Sequence, residues 1–473
     1  MNKIKFAFLS IIVLLFLIFV YFITYTFVEP KAYDFMTKHV LTERLPFDTH
    51  KQIYGSDDVV VVVIDTKSAE RYRWPWKREL LCKIFNYFND YTDAKVIVYD
   101  ANISSLDKDN PESDKKFFSN VNKIDNFVLG FIPQTMTWEN QEQGAIYDKA
   151  FAKKFALNAT NNKKMHQNLY QSILPYPTPC FNVIKNAGSV TAFSGFINGL
   201  SNWNIFAMDE VFRTYEYIFE YKGQLYPSLA LKTFLMAYNN PQMVVDDKTL
   251  AFPDLDYKIK LKTTPYQSIV PIKYYKLFNG YSHQKFSAID IMDSYDNIKY
   301  GKKAIIDPQI FKDKIVVIGA NVTAGAGLND NKNTPMVVAH PGVDIQASAI
   351  DNILHNDFLK VTPHFVNLFI VLLGMLMVYG IIRVYDLFKS ISLTFALLIG
   401  YLVFSASCFY FGVVINVITP VVMFVVMMII AYIHKFIIEN QSKEKVKSAM
   451  GKYMSQDVMK RIVMNIDNLG LGG

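Results

Sequence analysis

From Ser390 to Ile433 the chain runs 44 residues without an Asp, Glu, Lys or Arg. A hydrocarbon core of roughly 30 Å is crossed by about 20 helical residues, so a run this long predicts two crossing helices and a turn between them. The turn is expected at Phe411-Gly412-Val413-Val414-Ile415-Asn416, where Gly412 and Asn416 tolerate turn backbone and Pro420 suits a first helical turn. Two further apolar runs are bounded by charges. Phe6 to Val28 lies between Lys5 and Glu29, and Val361 to Ile382 between Lys360 and Arg383. The first is longer than a signal-peptide core and lacks a small-residue cleavage site, so it reads as a retained anchor. Spans are therefore expected over 6–28, 361–382, 390–411 and 416–433, with 1–5 and 434–473 outside them.

Charge decides the side. Residues 29–360 carry 38 basic and 37 acidic groups, net +1, whereas the rest of the chain carries 11 basic and 5 acidic, net +6, which together give the +7 of the whole. The excess sits on the tails and the short loop (Lys3, Lys5, Arg383, Lys389, Lys435, Lys443, Lys445, Lys447), which the positive-inside rule places in the cytoplasm. The expected protein is a multi-pass one of a bacterial inner membrane, in contact with lipid, with residues 29–360 extracytoplasmic. A nucleic-acid partner is not expected, because the large domain is nearly neutral.

Within 29–360 the pattern is α/β. Val59-Val60-Val61-Val62-Val63-Ile64-Asp65 and Lys95-Val96-Ile97-Val98-Tyr99-Asp100 are continuous β-branched runs of the kind buried on both faces of a parallel or mixed sheet with flanking helices. Between them Leu80, Leu81, Ile84, Phe85 and Phe88 mark one face of a helix over Lys77–Tyr91. Further strands are expected over Phe127–Ile132 and Lys314–Gly319, a hairpin around Lys222-Gly223 followed by a helix opened by Pro227, and a helix over Pro341–Leu354. Lys31–Leu45 should continue the first span as a stalk. Thr135–Thr178 is polar and shows no clear period, and reads as an insertion or mobile loop.

Candidate ligand contacts follow from this layout. Asp65 and Asp100 end what read as neighbouring parallel strands, where ligands of α/β proteins bind, although Asp after a strand also caps the next turn. Trp74 and Trp76 either staple a helix start to the core or line a pocket. Arg213 either holds an anion or pairs with Asp209-Glu210. Asn321 closes Gly319-Ala320-Asn321, a turn that lacks dinucleotide-binding spacing. These six form the candidate sensory pocket for an unknown extracytoplasmic ligand. No catalytic, cofactor or metal residues are assigned. Two SxxK matches, at Ser113 and Ser282, have no partner motifs, and the eight histidines are scattered singly. Cys82, Cys180 and Cys408 have no metal or redox spacing, and a Cys82–Cys180 bridge stays open.

The order of pieces resembles the second class of CHASE domains, the extracytoplasmic sensors of cyclases and histidine kinases. It rests on the strand ending in Asp65, Arg73-Trp74-Pro75-Trp76, the strand ending in Asp100, Gln224-Leu225-Tyr226-Pro227-Ser228-Leu229-Ala230, Lys312 to Ala320, and Pro341 to Ala347 running into Asp351-Asn352-Ile353-Leu354. The polar stretch after Ala324-Gly325-Ala326-Gly327 and the long 135–178 region depart from the family pattern. The tail, with Gly451-Lys452-Tyr453-Met454-Ser455 and Leu469-Gly470-Leu471-Gly472-Gly473, is similar to the linker that leads into class III adenylate/guanylate cyclase domains. The resemblance implies a sensory input module of a receptor adenylate cyclase. It also implies a homodimer, for which Val446, Met450 and Tyr453 offer a helical seam. Mg²⁺ and ATP would belong to the cyclase domain, whose catalytic positions these 473 residues do not contain, so the chain by itself is expected to be inactive. A sensor-only regulator and the sensor half of a receptor kinase are the alternatives.

Overall fold

In the computed structural model, residues 3–72, 76–135, 141–161, 170–190, 193–194, 209–263, 268–322 and 330–450 are described. The chain divides into two units, one of Tyr33–Lys360 with Phe409–Val414, the other of Met1–Ala32, Val361–Cys408 and Ile415–Gly473.

The first unit is built on a six-stranded sheet: β1 (Val59–Ile64), β2 (Val96–Tyr99), β3 (Phe127–Phe131), β4 (Ala187–Ser189), β5 (Gln284–Ser287) and β6 (Ile315–Ala320). Its order is β5-β1-β6-β2-β3-β4, and every pairing is parallel. Parallel pairing needs crossovers, and these cover the sheet with α1 (Arg78–Tyr91), α2 (Pro111–Val121), α3 (Leu229–Ala237), α4 (Ala288–Lys299) and α5 (Gly342–His355). Because side chains alternate along a strand, Val60, Val62 and Ile64 face one core with α1, α2 and α4. Val59, Val61 and Val63 face the other with α3 and α5. All six residues of β1 are buried, as a strand covered on both sides must be.

Three expectations need correction. β6 lies between β1 and β2, so Asp65 and Asp100 end strands that are not neighbours. The chain reaches this central position only after β5, a long-range pairing invisible to local pattern. Pro227 ends the hairpin strand Gln224–Pro227, and Ser228 starts α3 by accepting the N–H of Leu231 at 3.1 Å. The 135–178 region is not a loop throughout: Gln141–Phe155 is helical, and Tyr147, Phe151 and Phe155, four residues apart, pack into the core amid polar neighbours.

The other unit holds helices His364–Val384, Leu387–Tyr410 as far as Cys408, and Ile418–Met450, together with the start of the N-terminal helix. Ser10–Leu41, His364–Val384, Leu387–Tyr410 and Ile418–Val446 are long and apolar enough to cross a membrane. Val371, Met375, Val378 and Ile382 meet Met423, Phe424 and Ala431 in the interior of this unit. Buried Glu29 caps the last of these helices: its carboxylate accepts the N–H groups of Val417, Ile418 (3.1 Å) and Thr419 (2.8 Å) and the Thr419 hydroxyl. The first N–H groups of a helix have no partner of their own, so an acid here meets both hydrogen bonds and the helix dipole.

Candidate functional site

The chain leaving β1 and the chain leaving β2 both go to helices on one face of the sheet, α1 and α2, whereas the chain leaving β6 goes to α5 on the other. Where neighbouring strands send their connections to opposite faces, a crevice opens at their carboxyl ends, and this is where α/β proteins hold ligands. The rule places the candidate site at the carboxyl end of β6, between Asp65 and Asp100, with Asn321 directly after the strand.

Asp100 is anchored through its N–H to the Ile318 carbonyl at 2.8 Å. Burial, reinforced by Asp330, pushes its carboxyl well above the usual carboxylate range against the opposing pull of Lys332 and Gln346. Asn321 gives its backbone N–H to the Ile64 carbonyl (3.0 Å) and its side-chain N–H to the Tyr281 hydroxyl (3.0 Å), while its Oδ1 is buried without a partner. Both amide atoms of Asn102 and the Oδ1 of Asn331 are also buried and unpartnered. Buried polar atoms are nearly always hydrogen-bonded in native structures, so such a group of exceptions calls for an explanation.

The remaining pocket candidates have structural partners. Asp65 Oδ1 accepts from Ser68 N (3.0 Å), Ser68 Oγ (2.8 Å) and Ser287 Oγ (2.9 Å), capping the short helix Thr66–Arg71. Trp76 is buried in the core and its Nε1 donates to the Tyr72 carbonyl at 2.7 Å. Arg213, only 2% exposed, forks onto Asp34 at 2.7 and 2.6 Å and onto Asp209 at 2.9 and 2.5 Å. The pairing with Asp209 follows the sequence, and Asp34, 179 residues away on the stalk helix, is the partner that sequence did not show. Trp74 lies outside the described residues. Of the dimer seam, Val446 is exposed, and the Met450 side chain and Tyr453 lie outside the described residues. Cys82 and Cys180 are both free and buried, so the open question of a bridge is answered in the negative.

The histidines, read as scattered, converge. Along α5, Asp344, Ser348, Asp351 and His355 follow one face, and the first three are fully buried. His283 Nε2 donates to Asp351 at 3.1 Å, and its Nδ1 lies 2.9 Å from Ser282 Oγ, which in turn donates to Asp344 at 2.8 Å. His340 Nε2 meets the same Asp344 oxygen at 2.7 Å, and His355 bridges Asp351 (2.7 Å) to Asp58 (2.9 Å). Burial works against charge on His283, but hydrogen bonds and charge from Asp344 and Asp351 outweigh it and push the imidazole up to about 9. Burial likewise opposes ionisation of the two acids, and their histidine partners hold both well below the usual carboxylate range. The array ties segments 56–58, 282–283 and 334–340 to α5. Acids and Ser at helical spacing on one face of a mostly apolar helix were the available signal. Among the described residues no group of three or more His, Cys, Asp or Glu is arranged to hold a metal ion.

An α/β domain built on an all-parallel six-stranded sheet with a topological switch at β6, in a chain with four helices apolar enough to cross a membrane, has the build of a membrane-tethered sensor. The chain belongs to the CHASE2 family, sensor domains of signalling receptors: the model described as the CHASE2 domain matches residues 10–381. No curated protein and no solved structure matches the chain.

Proposed function

We propose that this chain is the sensory input part of a membrane receptor whose output is a class III adenylate cyclase. The observation that carries the reading is the last apolar helix. It extends from Ile418 to Met450, 33 residues where a bilayer needs about 20, and so continues as a rigid rod toward the linker-like tail. On this reading residues 29–360 face outward in a bacterial inner membrane and the signal passes through the membrane helices. Two copies pair along the tail through Val446, Met450 and Tyr453. The crevice beside β6 receives the ligand, with Asp100 and Asn321 in contact and Asp65, Trp74, Trp76 and Arg213 shaping its surroundings. Mg²⁺ and ATP act only in the cyclase domain.

The test is a fusion of a class III catalytic domain directly after Gly473, expressed in a cyclase-deficient bacterium. Membrane-bound cyclic AMP synthesis that Asp100→Asn alters, with expression unchanged, supports the reading. A fusion whose output is the same with and without residues 29–360 defeats it.

A further inference from the structure

Beside the edge strand β5, outside the crevice, is a recess of about 570 Å³ between the segment leading into β1 and the turn leading into β5. Its lining includes the aromatic side chains of Tyr54 and Phe278 and the planar polar groups of Asp57, Asn279 and Gln284. Pockets for small ligands have volumes of roughly 300–1,000 Å³.

Phe278 is 70% exposed and Tyr54 45%, so both rings show apolar faces to water. Phe278 is held there by rigid backbone. Asn279 (φ 51°) and Gly280 (φ 81°) are both left-handed, and Phe278 and Tyr281 exchange backbone hydrogen bonds at 2.7 and 3.2 Å across this two-residue turn. The floor is equally fixed. A Cβ on Gly55 would sit 2.3 Å from His283 Cδ2, so only glycine lets the chain lie on that ring, and Ser56 N–H donates to Asp351 at 2.7 Å.

Of the polar groups lining the recess, Ser282 and His283 are hydrogen-bonded to α5, whereas the side chains of Asp57, Asn279 and Gln284 are exposed. Ser56 Oγ is buried and has no hydrogen-bond partner. Asp57 and Lys285 take part in no ion pair among the described residues, and Lys285 lies over the Tyr281 ring at 4.9 Å. Planar carboxylate and amide side chains accept from, or donate to, two adjacent hydroxyls at once, and aromatic faces pack against the C–H face of a sugar ring. A flat aromatic ligand would use the rings but not the exposed Asp57, Asn279 and Gln284 side chains. A pyranose uses both.

We propose that this recess is a saccharide-binding site, with Phe278 and Tyr54 packing on the sugar ring and Asp57, Asn279 and Gln284 hydrogen-bonding its hydroxyls. Because its floor is His283 and Ser56, both bonded to α5, occupation bears directly on that helix. The site does not depend on the identity of the receptor's output.

The experiment is saturation-transfer NMR on the full chain in lipid nanodiscs, free of glycoside detergents. The probes are glucose, galactose, N-acetylglucosamine and maltose, with benzoate alongside. At least one sugar is expected to receive saturation from aromatic protons. Its affinity should fall at least tenfold in Phe278→Ala, fall in Asp57→Asn, and stay unchanged in Asp100→Asn. Phe278 is exposed, so that variant keeps the fold, and an unchanged thermal midpoint verifies it. No transfer to any of the four sugars overturns the proposal, as does transfer that survives Phe278→Ala. Benzoate binding that Lys285→Gln abolishes, without sugar binding, makes the recess a site for aromatic anions instead.

Discussion

β1 and α5 are both almost wholly buried, and they reach that state by opposite chemistry. β1 is six aliphatic side chains, and any arrangement that removes them from water is favourable. In α5 twelve of fourteen residues are buried, yet Asp344, Gln346, Ser348, Asp351 and Asn352 are among them. Burying such groups is unfavourable unless each finds its particular partner, so α5 fixes where residues 56, 273, 282–283 and 340 must lie. The strand supplies stability without much geometry, and the helix supplies geometry. In a sensor the second kind of contact is the one that transmits a small displacement, because a hydrogen-bonded ionic array does not slide as an aliphatic surface does.

The sharpest test of this contrast is Asp344→Ala. It leaves the Nε2 of His340 and the Ser282 hydroxyl and N–H buried without their Asp344 acceptor, and His283 with only one of its two acids. Removing one partner from a buried ionic pair costs about 3–5 kcal/mol. Ile318→Val in the sheet should cost only about 0.5–1.5 kcal/mol. Thermal unfolding of the full chain, followed by circular dichroism, ranks the two. Equal losses would erase the distinction between the two kinds of burial.

The same array predicts a pH profile. His283 is raised from 6.5 to about 9 in the folded chain, so its contribution is complete below pH 6.5 and lost as pH rises toward 9. Asp344 and Asp351 are held below their ordinary 3.8, so their contribution is complete above that value and lost in stronger acid. Stability should therefore be greatest between about pH 4 and 6.5. The alkaline limb should be shallower in His283→Gln, measured as the change in unfolding midpoint between pH 6 and 9. An unchanged limb would mean that His283 does not carry the charge.

Arg213 is an intermediate case, a buried cation between a near partner and a distant one. Asp34→Asn removes half of a bidentate pair and keeps Asp209, so a loss of about 1.5–3 kcal/mol is expected, below that of Asp344→Ala. A loss as large as that of Asp344→Ala would place Arg213–Asp34 among the contacts that fix geometry.

The contrast also explains what sequence revealed. The valine run of β1, the face Leu81-Ile84-Phe85-Phe88 of α1, the apolar helices and the Arg213–Asp209 pair are local in the chain, and their periods show. The insertion of β6 between β1 and β2 was not visible, since strand order is set by pairings between residues more than 200 apart. Nor was the meeting of His283, His340 and His355, each ordinary in its own neighbourhood. Phe151 and Phe155 were hidden by lysines and a glutamine-rich surround, so a packed helix resembled a loop. Of the candidate crevice, both acids were found, and what separates them was not.

Asp65 gives the smallest and most discriminating effect. Its Oδ1 accepts all three hydrogen bonds, from Ser68 N, Ser68 Oγ and Ser287 Oγ, and so joins the end of β1 to the end of β5 while capping a helix of six residues. None of the three requires a negative charge, because an asparagine oxygen accepts in the same place. Asp65→Asn should leave the unfolding midpoint nearly unchanged, whereas Asp65→Ala should cost about 1 kcal/mol, as the loss of a helix cap does. In the cyclase fusion, Asp65→Asn should also leave output as it is, while Asp100→Asn, which changes a buried carboxyl that caps no helix and is held well above the usual carboxylate range, should not. If Asp65→Asn is as harmful as Asp65→Ala, the charge itself is used. The two strand-end acids would then be equivalent halves of one site on either side of β6.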